Sequence, residues 1–284
     1  MASAELGKAV PRVLPLSVLI LTYNEEANIA GCLESVSYCD DVWVLDSLSS
    51  DQTKELCTLA RVEFHEREFD NYANQRNHGL SFPFRHEWVL MLDADERLTP
   101  RLAKEIESVL ASDSKTDLFR VRRKDMFMDR WIRRSSGYPT WFGRLFRQGK
   151  VRVERAINEE YETDGEVGLL KEHLEHYPFN KGIDYWIERH NKYSTMEADR
   201  LRIERREPIN WTGFLATDPA LRRKSFKQLA YRLPFRPLLT FLYLYVVRGG
   251  FLDGRPGFHY SCMRATYEYM ILLKMMRPLR SSQT

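Results

Sequence analysis

The residues best suited to chemistry in this sequence are carboxylates that close apolar runs. Asp93-Ala94-Asp95 follows Glu87–Leu92 (EWVLML), so two acids one residue apart leave an expected strand where the chain turns. Oxygen ligands in that spacing suit Mg2+ or Mn2+, which keep open positions for phosphate oxygens. An ion held there would act as Lewis acid and template for a departing nucleoside diphosphate. Acids decorating a helix start, where the helix dipole favours them, give the same pattern. Asp46 closes a second apolar run, DVWVLD. A carboxylate at that point can accept the imide N–H of uracil, or can hold a strand-end turn. Tyr23-Asn24-Glu25-Glu26 follows a third run, LSVLILT. Tyrosine can stack on a base, asparagine can bond its edge or a ribose, and an acid suits ribose hydroxyls. Capping is the alternative for Asn24 and Glu25, as it is for Ser50 and Asp51 in SLSSDQT. Arg76, within Asn74-Gln75-Arg76-Asn77, could fork onto diphosphate oxygens.

The elements that must position these residues alternate. Over roughly the first 120 residues, strand patterns at Leu16–Thr22, Asp41–Asp46, Val62–His65 and Glu87–Leu92 are separated by helical ones. The helices are expected to run to about Val36, from Ser50 or Asp51 to about Leu59, over Asn71–Leu80, and from Thr99-Pro100 to about Ala111. Continuous apolar strands of this kind are covered on both faces, so the pattern predicts an α/β architecture with a largely parallel sheet. Three strands then end in polar residues, and ligands of open α/β sheets sit beyond such carboxyl ends. No G-x-G-x-x-G or G-x-x-x-x-G-K-[ST] is present, which argues against a dinucleotide fold and a P-loop. From Asp117 to Tyr161 short β-like pieces (LFRVRRK, GRLFRQ, VRVE) follow. A helix over Gly182–Arg206 and a last helix from about His259 to Met276 complete the reading, with Gly-rich GGFLDGRPGF expected to form a rigid corner between apolar stretches.

With 284 residues, 43% of them hydrophobic and 29% charged, the composition is that of a soluble-type chain able to bury one sizeable core. No secretory leader is evident at the N-terminus. Cys32, Cys39, Cys57 and Cys262 have no metal-type spacing and read as reduced, mostly buried thiols. The net charge of +3 is uneven: Arg200 to Arg236 holds ten Lys/Arg against three Asp/Glu. The run LLTFLYLYVV at Leu238–Val247 follows, and ten residues fall short of the roughly 20 that span a bilayer. Cations beside such a run suit an anionic membrane surface, or else the run packs inward and the cations are solvated. No nucleic-acid-binding module accompanies them, so no nucleic-acid partner is expected.

The ordered blocks SVLILTYNEE, VLDSLSSDQT, ANQRN and MLDADE resemble family 2 glycosyltransferases. The segments INEEY…GLLKEHLEHY, NKYS and FLYLYVVRGGFLDGRPGF extend the resemblance to the branch containing lipopolysaccharide-core β-1,4-glucosyltransferases, from about Leu16 to Lys274. The resemblance implies a GT-A fold: a Rossmann-like, mainly parallel sheet with helices on both faces. It also implies a UDP-sugar donor, a divalent metal (Mg or Mn) and inversion at the anomeric carbon. Carried over by position, Thr22, Tyr23, Glu25, Asp46, Arg76 and Asp93 would bind the nucleotide sugar. Asp93 and Asp95 would hold the metal, Asp95 counting among the catalytic residues.

Inversion is a single displacement, so one carboxylate must take the acceptor's proton. Where the branch usually has a His-Glu pair this chain has Asn158-Glu159, and Glu159 is the expected base, with Glu160 as the alternative. His176 matches a histidine of the branch and reads as structural, a place near the metal or diphosphate being the other possibility. Trp141, Phe142 and Arg144 could line an acceptor groove, although core packing explains both aromatics. The expected organisation is an N-terminal extension (1–15), a GT-A catalytic domain (16–207) and a basic, apolar helical region (208–284) associating with a membrane. The function implied is hexose transfer to a hydroxyl of a lipid-linked saccharide, a lipopolysaccharide core or a polyprenyl-diphosphate glycan. The setting expected is cytoplasmic, peripheral on the inner face of the cytoplasmic membrane. A polyprenyl-phosphate sugar synthase, or an inactive nucleotide-sugar-binding membrane scaffold, is the alternative.

Overall fold

The computed structural model describes residues 13–112, 114–154, 160–206, 208–215, 222, 225, 228–229 and 231–276. These form two compact units, one containing residues up to 125 and 139–180, the other 126–138 and the chain from 181 onward.

In the first unit the strands are β1 (Leu14–Thr22), β2 (Cys39–Asp46), β3 (Glu63–Glu66), β4 (Trp88–Asp93) and β5 (Glu96–Leu98). After β6 (Thr116–Phe127) come β8 (Trp141–Arg147), β9 (Arg152–Glu154), β10 (Glu160–Glu162) and β11 (Glu166–His176). The short β7 (Arg130–Trp131) belongs to the second unit, where it pairs with the last two residues of β6. The main sheet runs β3-β2-β1-β4-β8-β6-β11-β5. Its β3-β2-β1-β4 half is parallel. β8 then inserts antiparallel between β4 and β6, whereas β6 and β11 are parallel. Helices α1 (Ile29–Ser35), α2 (Thr53–Leu59), α3 (Tyr72–Leu80) and α4 (Pro100–Leu110) complete the unit. This α/β arrangement is of GT-A type.

The apolar run of β1 is continuous because both faces of the sheet are covered. Leu16, Val18 and Ile20 enter one core with Ile29 of α1, Cys57 of α2 and Ile106 of α4. Leu19 enters a second core with Leu45, Phe82, Met91 and Phe146. Burying each such side chain contributes roughly 1.5–3 kcal/mol. The helix α3 begins at Asn71, whose side chain accepts a hydrogen bond from the Asn74 N–H. It lies close to β1 because Gly79 has no side chain: a Cβ there would stand 2.7 Å from Leu19 Cδ2. That close approach fixes the helix that carries Arg76.

The second unit contains β7, α5 (Gly182–Glu204), α6 (Arg236–Leu242), which continues as a π-helical turn over Tyr243–Val247, and α7 (Arg255–Met275). The division at 180/181 differs from the 207/208 boundary expected from sequence, because α5 packs with the C-terminal helix: Ala198 and Leu201 are buried with Ile271. The Gly-rich stretch also differs from expectation. Its second half is helical, and α7 starts at Arg255 instead of His259. Pro256 is tolerated in the first turn, and Gly257 is demanded there because a Cβ would lie 2.1 Å from the Gly250 carbonyl oxygen. Asp253 is buried and organises the region, accepting from the Arg134 and Ser135 N–H groups at 2.9 and 2.8 Å and from the Ser135 hydroxyl at 2.8 Å. Among the described residues no helix is long and apolar enough to cross a membrane.

Candidate active site

The parallel register sets Thr22 beside Asp46 and Leu21 beside Asp93, so β1, β2 and β4 deliver their polar ends to one edge of the sheet. Thr22 Oγ1 donates to Asp46 Oδ1 at 2.6 Å. Asp46 is almost fully buried and also accepts from the Ser49 hydroxyl and N–H, both at 2.6 Å. Its carboxylate therefore shapes the Ser47–Ser49 loop, in which Leu48 adopts a left-handed φ of 60°. Tyr23 stands out into solvent, 56% exposed. Asn24 has a φ of 52° and accepts from the Ser50 N–H at 2.8 Å. Glu25 accepts from Asn28 Nδ2 at 2.8 Å, and its carbonyl accepts the Ile29 N–H, tying it to the start of α1. Asp51 accepts from the Thr53 N–H at 3.0 Å at the start of α2.

Asp93 has both oxygens engaged. Arg76 Nη2, from α3, donates to Oδ1 at 3.0 Å, and Arg144 Nη2, from β8, donates to Oδ2 at 2.6 Å. Arg144 also donates to Glu96 Oε1 at 2.9 Å, and Glu96 is fully buried. The Asp93 N–H donates to the other Glu96 oxygen at 3.1 Å, closing the loop between β4 and β5. Burial alone would raise the Asp93 carboxyl, but the guanidiniums of Arg144 and Arg76 hold it well below the usual carboxylate range. The two acids conversely raise Arg144 well above its ordinary value against the effect of burial.

By its sequence, Arg144 could line an acceptor groove. Only 2% of its side chain is exposed, and it pairs with both Asp93 and Glu96. Arg76, the residue expected on the diphosphate side, donates to Asp93.

Asp95 sits differently. One oxygen accepts from His176 Nε2 at 3.2 Å, while its other carboxylate oxygen has no hydrogen-bond partner among the described residues. His176 Nδ1 lies 2.7 Å from Asp125 Oδ1, so the imidazole is clasped between two acids. Burial would lower this imidazole, but Asp95 and Asp125 raise it to about 9. In return His176 lowers both Asp95 and Asp125 against the effect of burial. Arg123 completes the cluster, 3.5 Å from Glu96 and 3.3 Å from Asp125.

Sequence reading missed Asp125 and Arg123. The signal was their spacing on β6: alternate residues of a strand share a face, so Arg123 and Asp125 both meet the site. Glu159 and its backbone lie outside the described residues. Two positions on, Tyr161 of β10 is at the site, its hydroxyl 3.3 Å from Arg144 Nη1.

Residues 17–177 match the sequence model of glycosyl transferase family 2. The chain belongs to that family. It is therefore a glycosyltransferase, and the strand-end acids lie within the matched region. Over 271 residues it is 29% identical to the lipopolysaccharide core biosynthesis glycosyltransferase LpsC of Rhizobium meliloti, covering 92% of each chain. It is 24% identical to an uncharacterized glycosyltransferase of Rickettsia felis, covering 94% of this chain and 92% of that one. Among solved structures it is similar to glucosyl-3-phosphoglycerate synthase of Mycobacterium tuberculosis, at 20% identity and a TM-score of 0.33. That match covers 38% of this chain and 43% of the other.

Proposed function

We propose that this glycosyltransferase moves a hexose from a UDP-sugar, with inversion, to a hydroxyl of a lipid-linked saccharide acceptor. A lipopolysaccharide core or a polyprenyl-diphosphate glycan would be that acceptor, met on the inner face of the cytoplasmic membrane. The observation that carries the reading is the asymmetry of the acid pair. Asp93 is neutralised by two buried arginines, while two residues on Asp95 keeps one oxygen without a partner among the described residues. Among the described residues no three or more His, Cys, Asp or Glu gather as a metal cage. Mg2+ and Mn2+ sites with nucleotides need none, because one or two carboxylates suffice when substrate phosphates and waters fill the remaining positions.

The donor set fits such an ion, with Asp95 as the direct ligand and Asp93 beside it. When bound, the ion would neutralise charge on the departing diphosphate. Arg76 and Arg144 fix Asp93 against the sheet, and His176 orients Asp95. Thr22, Tyr23, Glu25 and Asp46 form or shape the nucleoside side at the ends of β1 and β2. Tyr23 is the exposed ring and Asp46 the buried anchor of its neighbouring loop. Glu159 would take the proton of the attacking hydroxyl. The similarity to LpsC, whose name assigns it to lipopolysaccharide core biosynthesis, supports the choice of acceptor.

The test is UDP release from a panel of UDP-sugars with and without Mn2+, using the wild type, Asp95→Asn and Glu159→Gln. The expected result is metal-stimulated release by the wild type and a loss of about a hundredfold or more in each variant. Glu159→Gln should still bind UDP. Full activity in Asp95→Asn would refute the metal site, and full activity in Glu159→Gln would refute the base.

A further inference from the structure

Two stretches of the second unit bring five arginines to one corner. The first runs from β7 to Tyr138 and holds Arg130, Arg133 and Arg134; the second follows the π-helical turn and holds Arg248 and Arg255. Asp253 ties the stretches together, because its carboxylate accepts from the Arg134 and Ser135 N–H groups at 2.9 and 2.8 Å. Arg248 makes a second link, donating through Nη2 to the Tyr138 carbonyl at 2.9 Å. Two glycines let the side chains close in. Gly249 and Gly254 flank the single turn Gly250–Asp253, both with left-handed φ, 73° and 72°. A Cβ on Gly249 would stand 3.3 Å from Arg134 Nη1, and a Cβ on Gly254 would stand 3.2 Å from Arg130 Nη1. Two guanidiniums are thus seated on the two ends of one turn, and Arg248 and Arg255 flank that turn in sequence.

The fold leaves this charge uncancelled. Among the described residues none of the five has a carboxylate within ion-pair distance. Asp253 is buried and engaged by two N–H groups and the Ser135 hydroxyl, while Asp129, next to Arg130 in sequence, is exposed. Other arginines of the same unit differ: Arg200, Arg202 and Arg236 each pair with an acid. Arg133 lies 5.2 and 6.0 Å from the ring centroids of Trp131 and Tyr138. A ring face or a carbonyl occupies part of a guanidinium but cancels none of its charge, and five N–H donors are there to be used.

Two further donors belong to the same corner. The Ser136 hydroxyl, in the loop that carries Arg133 and Arg134, is shielded from water with no hydrogen-bond partner among the described residues. Helix α7 starts at Arg255 with no side-chain cap, and the N-terminal end of a helix favours an anion. Like charges held this close repel, so a bridging anion relieves the corner. Both stretches use arginine and no lysine, which selects phosphate: its oxygens accept the planar fork two at a time.

We infer that this corner binds the oxyanions of a phosphate or diphosphate ester, with Arg130, Arg134 and their neighbours forking onto its oxygens. Four of the five arginines are exposed and Arg248 is half-buried, so the ligand is met at the surface. Taking that ligand as the phosphate of a lipid-linked acceptor rests on the proposed function; the site itself uses none of the residues assigned to transfer.

The experiment is calorimetric titration of the full chain with inorganic pyrophosphate in the presence of a metal chelator, which keeps metal-bound diphosphate out of the measurement. The wild type should bind, and more weakly as salt screens the cations. Arg130→Gln/Arg134→Gln should bind about tenfold less or worse. It should melt no lower than the wild type, because it thins a set of like charges. Arg130→Lys/Arg134→Lys keeps the charge and loses the fork, so its affinity should fall between the two. A second arm is co-sedimentation with phosphatidylcholine vesicles carrying phosphatidic acid. Binding there that the glutamine variant loses identifies a lipid-borne phosphate; vesicles ignored while pyrophosphate binds identify a soluble one. No pyrophosphate binding by the wild type, or equal affinity in the glutamine variant, would overturn the inference. Metal-stimulated UDP release separates the two readings. Its absence from the wild type would defeat the transfer reading and leave the pyrophosphate result standing.

Discussion

Replacing Arg144 by methionine removes the cation that bridges Asp93 and Glu96. The variant keeps the packing of the stem but deletes the charged guanidinium. Glu96 would then depend on Arg123 at 3.5 Å for its counter-charge, in a position with no exposed surface. Asp93, with 30% of its side chain exposed, would keep Arg76. Breaking a buried ion pair from one side costs about 3–5 kcal/mol, because the remaining charge stays desolvated without its partner. At roughly 2–4 °C per kcal/mol for a domain of this size, melting should fall by about 6–20 °C. Combining the change with Glu96→Gln, which removes the orphaned charge, should cost less than the two single losses added. The expected coupling is about 1–3 kcal/mol. The assay is thermal unfolding of the four members of the cycle, followed by tryptophan fluorescence. A loss below about 1 kcal/mol in Arg144→Met, or strict additivity, would show that the buried charges are not mutually dependent.

Two further outcomes are expected in the second unit. Asp253→Ala leaves two backbone N–H groups and the Ser135 hydroxyl without their acceptor, and should cost on the order of 3 kcal/mol in a melting experiment. Wild-type stability in that variant would show that water replaces the carboxylate freely. Burial lowers the imidazole of His190 to about 4, helped by Arg264 and Arg189 against its contact with the Trp186 carbonyl. The folded state thus binds fewer protons than the unfolded one, whose imidazole titrates near 6.5. The contribution of His190 is complete above about pH 6.5 and is lost as pH falls toward 4. His190→Gln should flatten the stability profile across that window, and an unchanged slope would remove His190 as its cause.

Much of the first unit was legible because its strands are buried on both faces. Runs such as LSVLILT and EWVLML admit few other readings, and the residues that end them were the ones to inspect. The start of α3 was legible from Asn71, a side chain with a defined capping geometry. β5 was not, since three residues carry no period. The start of α7 escaped because Gly257 reads locally as a helix breaker, while its role is to let the helix pass the Gly250 carbonyl.

The individual acids of the site were legible, but their partners were not. Arg144 meets Asp93 across 51 positions of sequence, through the antiparallel pairing of β8 with β4. His176 meets Asp125 because β11 and β6 are parallel and set those two residues in register. Contacts of that kind depend on strand order, which hydrophobic periodicity does not encode. The long-range pairings also explain why Arg144 resembled a surface groove residue when only its aromatic neighbours were considered.

The unequal bracing of the acid pair has a consequence for descent. In a lineage released from selection for sugar transfer, Asp95 could drift early. Its loss would remove one imidazole contact from a side chain that is 20% exposed. Asp93 could not drift so easily, since its loss would leave two nearly buried guanidiniums facing each other across an empty acceptor. The first acid would therefore be kept by the fold alone, whereas only the proposed metal role would keep the second. On the proposed role of Asp95, relatives that have lost transfer should keep the first aspartate more often than the second.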